Sequence, residues 1–342
     1  MAKLWTVEEI LELARGFQGA CVLTAAAELD VFSALGRGRA TAGELADRLG
    51  ADRRATAVLL DALAAMGLLA KQGGRYGCAP GVSDALAEAS PRNVLPMVRH
   101  LGTCLRRWAQ LGRVVKTGRP ARAMPSVRGA AADHAAFIGA MHVINAQMAP
   151  ALVKALGSVG SGRGGPLRFR HLLDVGGGSG TWTIAFLRAA PGATATLFDL
   201  PSVVPMARRR IAEAGLADRV RVVGGDYTRG NLPSGADLAW VSAIVHQESL
   251  QGNVALFRRV HAALVPGGRI LVRDLVMQPS RTRPVMGALF AVNMLVATEA
   301  GGTYTFAELA GALKSAGFVR PKLLRKADDM SAVISALKPG RA

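Results

Sequence analysis

The sequence predicts an α/β protein in two parts: a mainly helical, winged-helix-like N-terminal domain and a C-terminal domain built on a doubly wound parallel sheet. Three observations carry this. In the C-terminal half, short apolar runs at 172–175, 195–198, 220–223, 238–241 and 270–272 alternate with helical stretches, the pattern of successive βα units. Residues 41–77 read as helix, turn, helix and a hairpin around Gly73-Gly74. The length of 342 residues exceeds the roughly 100–200 of one typical domain.

Each element has a local cause. Over residues 7–35 apolar positions recur at helical spacing until Gly36-Arg37-Gly38 interrupts them, which predicts two helices broken by a turn. Thr41 and Glu44 form a capping box, and Gly50 closes that helix. A second helix is expected over about 55–66, then the hairpin. Residues 94–156 read as helices broken at Gly118-Arg119-Pro120 and near Pro125, and the Gly/Ser-rich stretch 157–165 reads as a linker. The expected division is 1–93, a winged-helix-like dimerisation domain; 94–160, a helical linker contributing to a substrate pocket; and 161–342, the α/β domain.

Composition narrows the function classes. Half the residues are hydrophobic and 19% are charged, as in globular proteins and unlike disordered ones. The net charge of +18 admits a polyanionic partner. Its arginines, however, are scattered as pairs such as Arg106-Arg107 and Arg258-Arg259, with one triplet at Arg208-Arg209-Arg210, so a basic solvated surface is expected and no nucleic-acid partner. Cys21, Cys78 and Cys104 have neither disulfide nor zinc spacing, and no metal is expected. No apolar run approaches the roughly 20 residues of a membrane span, and Glu8, Glu9 and Glu12 stand where a signal peptide needs apolar residues. A cytoplasmic protein without membrane association is therefore expected.

The chemistry begins at Asp174-Val-Gly-Gly-Gly-Ser-Gly180, between a strand and a helix, where backbone must pass close beneath a ligand. A phosphate loop would need Gly-Lys-Ser/Thr, and a dinucleotide fingerprint from Gly176 would need glycine at 181; the chain has Thr181-Trp182. Asp199, 25 positions after Asp174 at the end of the second strand, can accept both hydroxyls of an adenosine ribose. The alternative is that it caps the helix before Pro201. One strand later, Gly224-Gly225-Asp226-Tyr227 offers a carboxylate or backbone group for the adenine amine and an aromatic face for its ring.

These motifs, with Phe198-Asp-Leu-Pro201 and Leu264-Val-Pro-Gly-Gly-Arg269, resemble the class I O-methyltransferases of plant caffeate and bacterial hydroxyneurosporene or polyketide type, which depend on S-adenosylmethionine (SAM). The likeness covers nearly the whole chain. Residues 27–32, Glu44-Leu45-Ala46 and 63–69 are similar to that family's winged-helix dimerisation domain. The resemblance implies a Rossmann-like SAM-binding domain, a homodimer, and S-adenosylhomocysteine as product. It also implies a cofactor set of Asp174, Gly176, Gly178, Asp199, Leu200, Asp226, Tyr227 and Ser242.

Methyl transfer from a sulfonium needs alignment and removal of one proton from the nucleophile. His246 ends the segment after the fourth strand, at the carboxyl edge where doubly wound sheets bind ligands, and a neutral imidazole can accept a phenolic proton. The resemblance places its catalytic histidine here and implies Asp274 as a carboxylate orienting it. Two departures stand out. Gln247-Glu248 replaces the family's Asp-Trp, and the acidic residue expected before Arg-Thr is lost around Gly302-Thr303-Tyr304. Met286, Phe290, Asn293 and Met294 share one helical face, read as ordinary core or as a wall for a flat apolar acceptor; Met141 and His142 are further candidate acceptor contacts.

The expected function is methylation of a hydroxyl on an aromatic or enolic small molecule in secondary metabolism. Transfer to carbon or nitrogen, or a non-methylating chemistry that keeps SAM, is the rival on the same fold. A DNA-binding regulator is the rival from another class, but residues 55–66 are apolar enough to suit packing rather than the reading of base edges.

Overall fold

The computed structural model describes residues 3–160 and 167–340. The chain divides into two compact units, Met1–Ala109 with Arg122–Val143 and Gln110–Ala121 with Ile144–Ala342. The N-terminal elements are α1 (Val7–Arg15), α2 (Phe17–Glu28), α3 (Val31–Leu35), β1 (Arg39–Thr41), α4 (Ala42–Leu49), α5 (Arg53–Ala65), β2 (Leu69–Gln72), β3 (Arg75–Cys78), α6 (Val82–Leu86) and α7 (Leu95–Trp108). Thr41 and Glu44 form the expected reciprocal cap on α4, and Gly50 ends it in the left-handed region at φ 60°. The hairpin β2–β3 turns on Gly73 and Gly74, both at positive φ, with Gln72 opposite Arg75. Such a two-residue loop requires positive φ at both positions.

Residues 7–35 form three helical segments rather than the two expected. Leu60 and Leu63 of α5 are buried in the core of this unit with Phe32, Leu45 and Tyr76. The exposed Arg53 of α5 is paired with Asp47 of α4. The second helix of the winged motif is thus used for packing.

Two helices follow, α8 (Leu111–Thr117) and the long α9 (Ala130–Gly160). α9 carries helix into residues expected to be linker; 161–166 lie outside the described residues. Residues 130–157 have the length and apolar content of a bilayer span. Ala149, Leu152, Val153 and Leu156 are instead buried against Leu172, Trp182 and Phe186, so this part of α9 is a core helix.

The α/β unit continues through β4 (His171–Val175), α10 (Thr181–Ala189), β5 (Thr194–Asp199), α11 (Val204–Glu213), β6 (Val220–Gly224), β7 (Ala236–Ser242), a 3-10 turn (Val245–Gln247), α12 (Leu250–Ala263), β8 (Leu264–Asp274), β9 (Val276–Met277), α13 (Val285–Ala297), β10 (Tyr304–Thr305), α14 (Phe306–Ser315), β11 (Val319–Arg325) and β12 (Ala332–Leu337). The seven-stranded sheet has the order β11-β12-β8-β7-β4-β5-β6. Strands β4 to β8 are parallel; β12 is antiparallel to both its neighbours. β11 and β12 are not among the strands expected from sequence. β12 is a six-residue apolar run with no alternation, and β11 is a mostly exposed edge strand containing Pro321, so neither shows period two.

Side chains alternate between two cores, one per face. One holds Leu173, Val175, Phe257, Leu313 and Phe318; the other holds Leu172, Trp182, Leu197, Trp240 and Leu271. The strand order reverses at β4, with β5 on one side and β7 on the other. A doubly wound sheet opens its ligand crevice at the carboxyl end of such a switch point, and both halves of the candidate site lie there.

Candidate active site

The glycine loop after β4 is shaped by its backbone. Gly176, Gly178 and Gly180 have φ of 67°, 56° and 85°, a region costly for other residues. A Cβ on Gly177 would stand 2.6 Å from Leu197 Cγ, whereas one on Gly178 would meet nothing within 4 Å. The loop is therefore packed below and open above Gly178. Asp199 joins it: its carboxylate accepts Gly178 N–H at 2.7 Å and Leu200 N–H at 2.7 Å. Across the next strand, the Phe198 ring fills the space a Cβ on Gly225 would need. Tyr227 Cε1 lies 3.9 Å from the Cβ position of Gly176, which puts an aromatic ring beside the loop.

Two members of the expected cofactor set have carboxylates already engaged within the protein. Asp174 is 1% exposed and accepts Thr183 Oγ1–H at 2.6 Å; burial pushes its carboxyl up to about 7, against the Thr183 bond, which lowers it. It supports the loop from beneath. Asp226 folds back to accept the backbone N–H and hydroxyl of Thr228 at 2.8 and 2.7 Å, and those two bonds hold its carboxyl below the ordinary range.

The other half of the site is the turn after β7. Ala243 adopts φ 57°, an uncommon conformation for a residue with a Cβ, and the chain then enters the 3-10 turn carrying His246. His246 is buried, and its Nδ1 lies 2.9 Å from both carboxylate oxygens of Asp274, at the end of β8. With Asp274 as an ionised acceptor, Nδ1 is the donor, and in the neutral ring Nε2 then carries the lone pair. The ring of Phe290 on α13 meets the imidazole edge-on at 4.8 Å.

Four further bonds hold this turn, none of them anticipated from sequence. Asn253 Nδ2 donates to the Val245 carbonyl at 2.8 Å, Gly302 N–H to the His246 carbonyl at 2.9 Å, and Tyr227 Oη to Gln247 Oε1 at 3.4 Å. Tyr304 Oη donates to the Glu248 carbonyl. Residues 300–305 carry no acid, and Gly301 lies so close to the His246 carbonyl that a Cβ would clash with it. Of the expected acceptor stripe, Phe290 reaches His246 and Asn293 is half-buried, but Met286 is 55% exposed and Met294 is buried. Met141 and His142 are half-buried on α9, in the N-terminal unit. Ser242 accepts a bond from Arg273, at 3.0 Å. Among the described residues no cluster of three or more His, Cys, Asp or Glu could hold a metal.

A parallel sheet with a glycine loop, an acid closing the second strand and a His–Asp pair at the fourth and fifth defines a nucleoside-dependent group-transfer enzyme. Comparison with known proteins gives the family. Residues 166–319 match the O-methyltransferase domain and residues 11–92 the O-methyltransferase dimerisation domain. The chain is 34% identical over 318 residues to the tetracenomycin polyketide synthesis 8-O-methyl transferase TcmO of Streptomyces glaucescens, covering 91% of each chain. It is 28% identical to the N,N-dimethyltransferase OxyT of Streptomyces rimosus, covering 99% of this chain and 98% of that one. The crystal structure of human N-acetylserotonin methyltransferase in complex with SAM superposes with a TM-score of 0.78 at 26% identity, covering 99% of this chain and all of that one. The chain belongs to the O-methyltransferase family and is a SAM-dependent methyltransferase.

Proposed function

We propose that this enzyme methylates a hydroxyl of an aromatic or enolic small molecule in secondary metabolism, with His246 as general base. The single observation that carries this reading is the buried His246–Asp274 pair, which leaves Nε2 as a proton acceptor at the carboxyl edge of the sheet. SAM, when bound, supplies an electrophilic methyl on a sulfonium that departs as a neutral thioether. Asp199 would accept the ribose hydroxyls, Tyr227 would lie against the adenine, and the backbone around Gly176 and Gly178 would line the nucleoside. These residues fit the group because the loop is open above Gly178 and the Asp199 carboxylate is already oriented by two N–H groups. As the acceptor oxygen bonds to the methyl carbon, its proton passes to His246 Nε2, and Asp274 stabilises the resulting imidazolium. Phe290 gives the acceptor an aromatic wall beside the base.

Residues 1–93 would serve as the dimerisation domain of a homodimer, 94–160 as the helical connection and 161–342 as the catalytic domain. The dimer is supported by the dimerisation-domain match and by α1, which has no buried residue although Val7 is 76% and Leu13 71% exposed. The packing of Ala149, Leu152, Val153 and Leu156 against the sheet argues against a membrane-spanning role for α9. Transfer to nitrogen is the second reading, favoured by the missing second acid and the likeness to a dimethyltransferase. Incubation with methyl-labelled SAM and paired hydroxy- and amino-aromatic acceptors, followed by fragmentation of the products, separates the two readings. Label on nitrogen alone would overturn the first.

A further inference from the structure

Arg273, next to Asp274 on β8, is 1% exposed and forms no ion pair among the described residues. Its Nη1 donates to Ser242 Oγ at 3.0 Å and its Nη2 to Met148 Sδ at 3.3 Å. Its guanidinium lies 4.7 Å over the Trp182 ring, and its Nε has no partner. Burial pushes the guanidinium down to about 10, so it remains charged at neutral pH. A buried cation whose neighbours are a hydroxyl, a thioether and an indole is costly without an anion. Asp274 and Asp329 offset part of that charge through space, but neither pairs with the guanidinium, which keeps bonding capacity for a further anion.

The position names the anion. Ser242 ends β7, whose Val241 pairs with Val175 at the end of β4, and Trp182 stands in the first turn of α10, directly after the glycine loop. On the cofactor reading above, a nucleoside held at Asp199 with its methyl near His246 would span from β5 across β4 to β7. Its amino-acid tail would then fall near β4 and β7. That tail ends in a carboxylate, and the loops leaving β4, β5, β7 and β8 (176–181, 200–203, 243–248 and 275) contain no lysine or arginine. Arg229, after β6, already faces Asp226 at 3.8 Å. Of the three groups around the guanidinium, Met148 is the one able to yield: it is half-buried, a weak acceptor and conformationally adaptable.

We propose that Arg273, with the Ser242 hydroxyl it holds, is the site for the methionyl carboxylate of SAM, and that Met148 covers this site until the cofactor displaces it. The proposal rests on the SAM-site reading and adds a cation that the sequence motifs do not contain. It is tested by calorimetry with S-adenosylhomocysteine and its decarboxylated analogue, which differ only in the carboxylate, on the intact chain and on Arg273→Met and Arg273→Lys.

The wild type is expected to bind the carboxylate-bearing nucleoside about 10- to 100-fold more tightly, the range of a charge-assisted hydrogen bond. Arg273→Met should lose that preference while binding the decarboxylated analogue unchanged, and Arg273→Lys should keep part of it. Methionine fills a similar apolar volume, and replacing buried charge in this way is often tolerated; if the variant still fails to fold, the wild-type preference and the lysine variant decide. A wild-type preference below about threefold, or equal weakening of both nucleosides in Arg273→Met, would overturn the proposal and leave Arg273 as a pin between α9 and the sheet. Unchanged nucleoside binding with weaker binding of a carboxylated acceptor would also overturn it. If the wild type binds neither nucleoside, the cofactor reading fails before this one.

Discussion

The two halves of the sheet's carboxyl edge are built in different ways. The side at β4, β5 and β6 is made from contiguous stretches whose shape comes from backbone: glycines at positive φ, N–H groups aimed at Asp199, and rings packed under glycines. The turn at 245–248 has little local support and is held by Asn253, Asp274, Gly302, Tyr304 and Tyr227, which come from five separate segments. The first kind of site depends on glycine itself, because its positive-φ turns are costly for any residue that carries a Cβ. The second is rigid only while its partners stay in place, so it tolerates or fails substitution one bond at a time.

The largest expected effect separates chemistry from binding across that divide. His246→Ala should lower kcat by about 10²–10⁴-fold, the usual contribution of a general base, with S-adenosylhomocysteine affinity unchanged by calorimetry. The acceptor must be one that is protonated at assay pH. Near-full turnover would show that the histidine only shapes the pocket.

On the cofactor side, Asp174 tests whether a buried acid under the loop supports it or touches the ligand. Its carboxyl is raised from 3.8 to about 7 in the folded protein, so the folded state holds the proton more tightly. Its contribution to stability is therefore most favourable below pH 3.8 and is lost as pH rises toward about 7, by up to about 4 kcal/mol. Asp174→Asn should remove that decline in chemical-denaturation midpoints between pH 4 and 7 while leaving S-adenosylhomocysteine affinity within a few-fold. A large loss of affinity with an unaltered stability profile would instead put Asp174 in contact with the ligand.

Asp199→Ala should cost about 1.5–3 kcal/mol of nucleoside binding, since the bonds lost are to a charged acceptor. It should also lower the Tm of the free protein, because Gly178 and Leu200 lose the acceptor that orders the loop. A fall in Tm without a fall in affinity would reduce Asp199 to a tie within the loop.

The same contrast explains what could be read from sequence. Asp199 and the glycine loop are legible because their spacing follows βα units, and the five parallel strands because short apolar runs alternate with helical stretches, a rhythm that β11 and β12, joined without a helix, do not share. His246 and Asp274 were paired through family resemblance, since nothing in a 28-residue separation reveals contact. Asn253, Gly302 and Tyr304 carry no local signal of their role: an asparagine in a helix and a tyrosine opening a two-residue strand look ordinary until the fold brings them to one turn. Asp174 was placed in the cofactor set because its motif neighbours belong there, and period-two alternation could not show that its own side chain lies buried beneath them.

The smallest effect probes one bond of the assembled half. Tyr304 is buried, and its hydroxyl donates to the Glu248 carbonyl, where this chain lacks the family's second acid. Tyr304→Phe removes one hydrogen bond and keeps the ring, so the expected cost is about 0.5–1.5 kcal/mol. If that bond serves the position of His246, the loss should fall on kcat, up to about tenfold, with nucleoside affinity and acceptor KM unchanged. If it serves only the fold, Tm should fall and kcat should not. The two are resolved by combining Tyr304→Phe with His246→Ala: a positioning role makes the kcat effects non-additive, because a turn that no longer carries the base has nothing left to misplace. Full additivity in kcat would mean that Tyr304 acts on the acceptor or the cofactor side, and the division between the two halves would have to be redrawn.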